Sequence, residues 1–497
     1  MFTIVSRWEW RTFGTHFGRA EAQFAKLTAS DVQESDELYF LNGSDENVKI
    51  RDDLLDIKVL REVDARGLER WEPVIKAGFP LPAVDVAKLF AALGCAPPAL
   101  ARNAYTLPQL VDELVVPSGA LQLVKVHKRR VRYAVGGCTS EVTELGTDAK
   151  ATRTIAIESE NAAAVIAVVE SVGLGGYLNV SYPRGLRSLL HDVPERYAVI
   201  DAGTNSVKFH VGERDAGGAW RTIVDRAELT QLGEGLAAHG EIGAEAIERT
   251  ATAIAGMVDE AKRNGVLAIA AVGTAGLRMA RNSAAVVETI RARAGVTIQV
   301  ISGEEEGRLA YLAAKVGLGL SEGSLVAFDT GGGSTQLTFG NGAHVDERFS
   351  VNVGAVRYTE RFGLAGEVTR DVLHDAFAAI AGDLSRLDGR PRPDALVAMG
   401  GGVTNIAAVK HALAKYDPDV VQGTVLDRAE IDRQIELYRS RDAAARRSIV
   451  GLQPKRAEVI LAGACIIRTV MDKLGHDRLT VSDRGLRHGV LAERFGV

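Results

Sequence analysis

The sequence predicts an α/β protein in which one strand–turn–strand fold is used twice, behind an N-terminal third of a different kind. Three observations predict it. Ala198–Gly212, AVIDAGTNSVKFHVG, aligns without gaps on Val326–Gly340, VAFDTGGGSTQLTFG. After each copy comes a helical stripe and then an apolar strand, the alternation of layered α/β folds with parallel central strands. Before residue 188 that alternation is missing, and short charged segments of strand period take its place. Two unrelated hairpins with glycine turns look alike in isolation; their matching surroundings favour duplication of a whole unit, two copies of which would face each other across a cleft.

Length and composition set the limits. The chain has 497 residues, which at about 100–200 residues per domain gives three units. The expected bounds are 1–188, 195–337 and 338–497. A net charge of -5 provides no basic field for nucleic acid or an anionic membrane, so anion binding has to come from local clusters. Cys95, Cys138 and Cys465 lie far apart, without metal spacing or a disulfide frame. No run approaches the ~18 apolar residues of a membrane helix, and the expected location is cytoplasmic.

In the N-terminal third, Val48–Ile50, Leu55–Leu60, Leu121–Val126, Arg129–Ala134, Ser140–Leu145 and Thr154–Glu158 read as strands. Trp71 to Val116, punctuated by Pro80, Pro82, Pro97 and Pro98, reads as helix or loop. Strand alternation puts Lys128, Arg130 and Arg132 on one face. Three like charges in a row suit a polyanion; an exposed edge strand would carry them equally well.

Each repeated hairpin places an Asp at the end of its first strand and small residues in its turn. Gly203-Thr204-Asn205-Ser206 and Gly331-Gly332-Gly333-Ser334, the latter followed by Thr335, offer backbone N–H groups and hydroxyls as a phosphate nest. Neither turn has the Gly-Lys-Ser/Thr ending of a Walker loop. Either Asp alone could cap its turn. A carboxylate beside a phosphate nest repels the ligand unless a cation intervenes, so Asp201 and Asp329 as a pair imply Mg2+.

The elements between and after the hairpins follow from period and capping. A helix is expected over Ala246–Lys262 and a strand over Ala268–Val272. Arg278 follows that strand, where it can clamp phosphate or lie on the surface. Ile298–Arg308 reads as strand, turn and helix start: Ser302 with Glu305 forms a capping box, and Glu304 is four residues from Arg308. Three and four residues on from Glu306 stand Leu309 and Ala310, which cannot ion-pair, so Glu306 is the candidate base for activating water. A helix near Asp371–Leu387 and a strand Ala395–Met399 complete the second copy. Gly400-Gly401-Gly402 then opens a further helix, where an anion could meet amide donors.

The stretches VIDAGTNS, VGTAGLRMARN, VISGEEEGR, FDTGGGSTQL and SDRGLRHGVL, in this order, resemble the exopolyphosphatase/guanosine pentaphosphate phosphohydrolase (Ppx/GppA) family from about Glu195 onward. The resemblance implies two ribonuclease-H-like domains of the actin and sugar-kinase superfold, closing on a phosphate cleft. It also implies Glu306 as the catalytic carboxylate, Arg278, Asn205 and Ser334 as polyphosphate contacts, and Asp329 as a magnesium site. One position departs: the family commonly has Glu where this chain has Gln336. The extra C-terminal helical domains of long members are not expected.

The N-terminal pieces SRWEWRTF, ESDELYFL, VKIRDDLLDIKVLRE, VKVHKRRVRY, TSEVTELG and IAIESE resemble the tunnel-shaped β-barrel of the CYTH family of triphosphate-binding proteins. That family opens on Glu-x-Glu-x-Lys, where this chain has Arg7, Glu9 and Arg11; Glu9, Glu158 and Glu160 are the acids that remain. The expectation is a degenerate barrel that binds polyphosphate without cutting it.

The expected activity is an exopolyphosphatase-type phosphohydrolase, releasing terminal phosphate from inorganic polyphosphate by magnesium-assisted attack of water, in a homodimer. Guanosine pentaphosphate as substrate, a non-catalytic polyphosphate-binding regulator, and an ATP-using enzyme of the same superfold are the alternatives.

Overall fold

A computed structural model of the chain describes residues 5–215, 218–320, 322–342 and 344–496. The chain divides into two compact units: Met1–Gln299 with Arg494–Val497, and Val300–Glu493. The bounds expected from sequence are corrected accordingly. Position 188 lies inside the helix Tyr182–Leu190, and 337 inside the strand Thr335–Asn341, so a cut there would sever a paired hairpin.

The first unit begins with eight antiparallel strands: β1 (Arg7–Gly14), β2 (Asp31–Leu41), β3 (Asn47–Arg51), β4 (Leu54–Val63), β5 (Glu69–Gly78), β6 (Gln122–Val135), β7 (Cys138–Gly146) and β8 (Ala151–Ser159). They close into a barrel in the order β1-β8-β7-β6-β2-β3-β4-β5. Closure rests on β1, which pairs with β8 on one side (Trp8 opposite Ser159) and β5 on the other (Arg7 opposite Trp71). Two of the expected strands fuse into β6, because one alternation runs unbroken through Val124, Val126, Lys128 and Arg130, all buried. The segment from Trp71 to Gly78, expected as helix or loop, is instead most of β5. Pro73, which donates no ladder bond, is accommodated where the β4–β5 register slips between Ile57 and Lys58. Tyr182, at the start of its helix, stacks on Tyr39 of β2 with ring centroids 5.1 Å apart, so the helix is fixed to the barrel wall.

The same unit continues with a sheet of β9 (Glu195–Ala202), β10 (Ser206–Arg214), β11 (Trp220–Leu229), β12 (Ala268–Gly273) and β13 (Ile298–Val300), in the order β11-β10-β9-β12-β13. The helix Ala244–Arg263 buries Ala251, Ile254, Val258 and Ala261 against it, the stripe its periodicity predicts. Barrel and sheet are joined by a bridge between Tyr177 and Ala268 and by Thr15, whose N–H donates to Glu195 Oε1 at 2.7 Å.

The second unit holds β14 (Ser324–Thr330), β15 (Thr335–Asn341), β16 (His344–Val351), β17 (Ala395–Met399), β18 (Val425–Asp427) and β19 (Arg478–Ser482), ordered β16-β15-β14-β17-β19-β18. Its registers repeat those of the first sheet. Asp201 lies opposite Lys208 in the antiparallel hairpin and opposite Val272 in the parallel pair; Asp329 lies likewise opposite Gln336 and Met399. Among the described residues no helix is long and apolar enough to cross a membrane.

Candidate active site

The two repeated turns are built by the same backbone bonds. Gly203 N–H donates to Ser206 O at 3.1 Å, and Gly331 N–H to Ser334 O at 2.9 Å. These bonds turn both first amides inward, so the N–H of Gly203, expected as a phosphate donor, is engaged within its own turn. The next amides point the other way. In the second unit the helix Ala355–Phe362 starts against the turn: Ala355 N–H donates to Gly331 O and Val356 N–H to Gly332 O, both at 2.9 Å. A trans peptide sets its N–H opposite its C=O, so the amides of Gly332 and Gly333 face away from that helix, on exposed residues. In the first unit Thr204 O accepts from Gly233 N–H and Asn205 O from Gln231 N–H, which turns the Asn205 and Ser206 amides outward by the same rule. Thr335 is fully buried, its hydroxyl donating to Val353 O at 2.7 Å, so that hydroxyl braces the turn.

The two aspartates differ. Asp201 is 3% exposed and has Lys208 Nζ 3.4 Å from Oδ2, so the protein already supplies it a cation. Asp329 is exposed at its strand end. Gly400 has φ +88°, and a Cβ there would collide with Asp329 Oδ1. Only glycine allows that approach, which cradles the carboxylate against the strand–helix turn. An exposed hard oxygen donor held rigidly beside outward amides suits Mg2+; of the two sites, Asp329 fits it.

Glu306 is half-buried in the first turn of the helix Gly303–Gly317, where Ser302 Oγ accepts from Glu305 N–H at 3.1 Å. The expected Glu304–Arg308 pair is replaced: Arg308 donates to Glu305 at 2.9 Å and also to Glu493. Beside Glu306, a Cβ on Gly307 would strike Arg348. Arg348 in turn donates from Nη2 to Gln336 Oε1 at 2.8 Å. Arg348, Gln336 and Asp329, which faces Gln336 across the hairpin, are thus neighbours in one unit, and the helix that carries Glu306 packs on Arg348 through Gly307. Arg348 has no local signature in the sequence and was missed. Arg456, also missed, lies over Gly401 at the start of the helix Gly401–Lys410. In the first unit Gly276 packs on Thr204, which brings the turn carrying the exposed Arg278 against the first nest.

The barrel encloses a cavity of about 240 Å³ lined by Lys128, Arg130 and Arg132, together with Lys49, Arg51 and Lys58 from strands β3 and β4. The cationic strand face is therefore interior, not an exposed edge. Glu37, unremarked in the sequence, is its anchor. It accepts from Lys128 Nζ at 2.7 Å, from Lys49 Nζ at 3.1 Å and from Arg130. Burial would raise the Glu37 carboxyl, but these three cations hold it well below the carboxylate range. Lys128 is pushed far below the usual lysine value, by burial and then by Lys49, since one carboxylate is shared among three cations. Of the expected acids Glu9 and Glu158 line the cavity with Glu141, while Glu160 lies exposed beyond β8.

Paired sheets with duplicated strand-end aspartates and amide nests define a ribonuclease-H-like enzyme that handles phosphate. The profile of the Ppx/GppA phosphatase family matches residues 211–496, and the chain belongs to that family. It is a phosphoanhydride hydrolase by that membership. The crystal structure of the type II variant of the Aquifex aeolicus Ppx/GppA phosphatase is 32% identical with TM-score 0.58, over 61% of this chain and 99% of that one. "Exopolyphosphatase 2" of Mycobacterium tuberculosis is 27% identical over 328 residues, 61% of this chain and 99% of that protein. An exopolyphosphatase structure from Cytophaga hutchinsonii, 23% identical with TM-score 0.51, shares the fold over 61% of this chain and 99% of that one.

Proposed function

We propose that the two sheet domains release the terminal phosphate of inorganic polyphosphate by attack of water. The observation that carries this is the second-unit turn, whose Gly332 and Gly333 amides are aimed outward beside Asp329, in the same unit as the helix of Glu306, which packs on Arg348 through Gly307. The Gly332 and Gly333 amides hold the non-bridging oxygens of the terminal phosphate. Glu306 orients a water and takes its proton as the oxygen bonds to phosphorus; the P–O–P bridge breaks, leaving orthophosphate and a chain one unit shorter. Mg2+ bound at Asp329 would neutralise charge on the phosphate oxygens. Polyphosphate is preferred to guanosine pentaphosphate because the chain also carries a cation-lined cavity with room for an inorganic polyanion, and because a relative matched over 99% of its own length is named an exopolyphosphatase. The N-terminal barrel, in this reading, is a CYTH-like module that binds polyphosphate. Phosphate release from polyphosphate, guanosine pentaphosphate and ATP, compared with magnesium present, is the test. Faster turnover of guanosine pentaphosphate would move the assignment to that substrate, and release from ATP alone would return it to the ATP-using enzymes of the superfold.

A further inference from the structure

The barrel cavity is lined by seven cationic side chains and four carboxylates, with Glu37 behind them, so it stays positive overall. Its charges are segregated. Strands β3 and β6 supply Lys49, Arg51, Lys128, Arg130 and Arg132; strands β1, β7 and β8 supply Glu9, Glu141 and Glu158. Acids facing cations across a tunnel would ordinarily suggest a divalent ion bridging the acids to a phosphate. Here two side chains stand where that ion would be needed. Arg11 is 7% exposed, its Nε donating to Glu9 Oε1 at 2.8 Å and its Nη2 to Glu141 Oε1 at 3.1 Å. Its guanidinium is raised despite burial, by Glu9 and then Glu141. Lys58, whose side chain makes no hydrogen bond among the described residues, is likewise raised against burial by Glu9 and Glu158. Nor do the acids gather: among the described residues, Glu9, Glu141 and Glu158 do not bring three carboxylate oxygens within 4.8 Å of one another. A divalent ion would have to displace a guanidinium holding two charge-assisted bonds, and would meet a second cation beside it.

We infer that the barrel binds a short inorganic polyanion such as tripolyphosphate through its own side chains and without a divalent ion, Arg11 and Lys58 serving as permanent counter-charges to the acid wall. This rests on the polyanion reading of the barrel and is independent of the hydrolysis assigned to the sheet domains. Tryptophan emission separates the two sites, since Trp8, Trp10 and Trp71 lie on β1 and β5 and only Trp220 lies elsewhere. The full chain is titrated with tripolyphosphate in EDTA and again in millimolar magnesium, and phosphate release is followed in the same samples. A saturable emission change is expected in EDTA, with affinity no better in magnesium, which competes for the same phosphate oxygens. Lys58→Met should weaken binding in EDTA by about fivefold or more. Arg11→Met, which frees Glu9 and Glu141, should make binding require magnesium; if that variant does not fold, Lys58→Met still decides. A wild-type response only in magnesium, no response in either buffer, or a Lys58→Met titration equal to wild type overturns the inference. Absence of phosphate release with the EDTA titration intact would overturn only the hydrolase reading.

Discussion

Glu306 sits in the first turn of its helix, beside a glycine that exists to let an arginine pass. Replacing it by Gln keeps shape and hydrogen bonding and removes the proton acceptor. The expected loss in kcat is ~10²–10⁴-fold with KM little changed, read by phosphate release from polyphosphate. Gly307→Ala tests the neighbour. Its new Cβ would strike Arg348, so Arg348 has to move and its bond to Gln336 is lost. Thermal stability is expected to hold, since the displaced group is the far end of a flexible side chain and Ala is the better helix former, while turnover falls; an unchanged rate would remove Arg348 from the site. Gln336 is where the family resemblance leads one to expect a carboxylate, and its amide oxygen is held by a guanidinium. Gln336→Glu alone should therefore form an ion pair with Arg348 and leave the magnesium requirement largely as it was. Only with Arg348→Met added should the new carboxylate lower the magnesium needed for half-maximal rate. A single substitution that already lowers it would mean that Arg348 does not neutralise position 336.

At the scale of elements, the phosphate nest is a joint product of hairpin and helix. The helix Ala355–Phe362 fixes two carbonyls of the turn, and Gly354 before it lies so close that a Cβ would collide with Gly332 O. Gly354→Ala should re-aim the Gly332 and Gly333 amides without touching any polar side chain. Since small misplacements in such sites cost up to ~10²-fold, a drop of about tenfold or more in kcat/KM is expected; full activity with an intact circular dichroism spectrum would remove these amides from catalysis. The hairpins themselves were legible because their signals are local: an apolar first strand buried almost throughout, an Asp at its end, glycine in the turn. The helix over 244–263 was legible for the same reason. What escaped is what long-range packing decides. Thr335 reads as a further turn hydroxyl, and only Val353 reveals it as a brace. Pro73 reads as a strand breaker until a register slip in its partner absorbs it. Arg348 lies on a return strand with nothing around it to mark it. The Lys128 face was seen, but whether it looked outward or inward depended on barrel closure, which no single strand encodes.

Across the whole molecule, the barrel carries a charge that responds to pH. Glu69 is 3% exposed, bonded by Trp71 Nε1 at 3.2 Å and by Arg184, and its carboxyl is pushed up to about 7 by burial, against Arg184 and with Glu9. In the unfolded chain it returns to 4.5. Between those values the folded state holds a proton that the unfolded state has lost, so stability falls as pH rises through the window, by about 2–3 kcal/mol at most. Glu69→Gln should flatten this slope and leave the barrel more resistant at pH 8. Denaturant unfolding followed by tryptophan emission at pH 5 and pH 8 measures both; equal wild-type stability at the two would show the carboxyl to be ionised throughout.

Phe495 stacks on Tyr197, with ring centroids 4.7 Å apart, and meets Tyr177 edge-on at 5.6 Å. The segment carrying it belongs to the unit that begins the chain. On a ribosome this has an awkward result. The barrel can zip shut once β8 has emerged to meet β1, yet Tyr197 and Tyr177 each keep one side uncovered until residue 495 has been made. Throughout synthesis of the second unit, the first is a nascent intermediate with a sticky spot, the kind of surface that holding chaperones guard and that aggregation seeks out. Clipping off Phe495 should therefore harm the yield of soluble protein more than it harms the chemistry of whatever does fold.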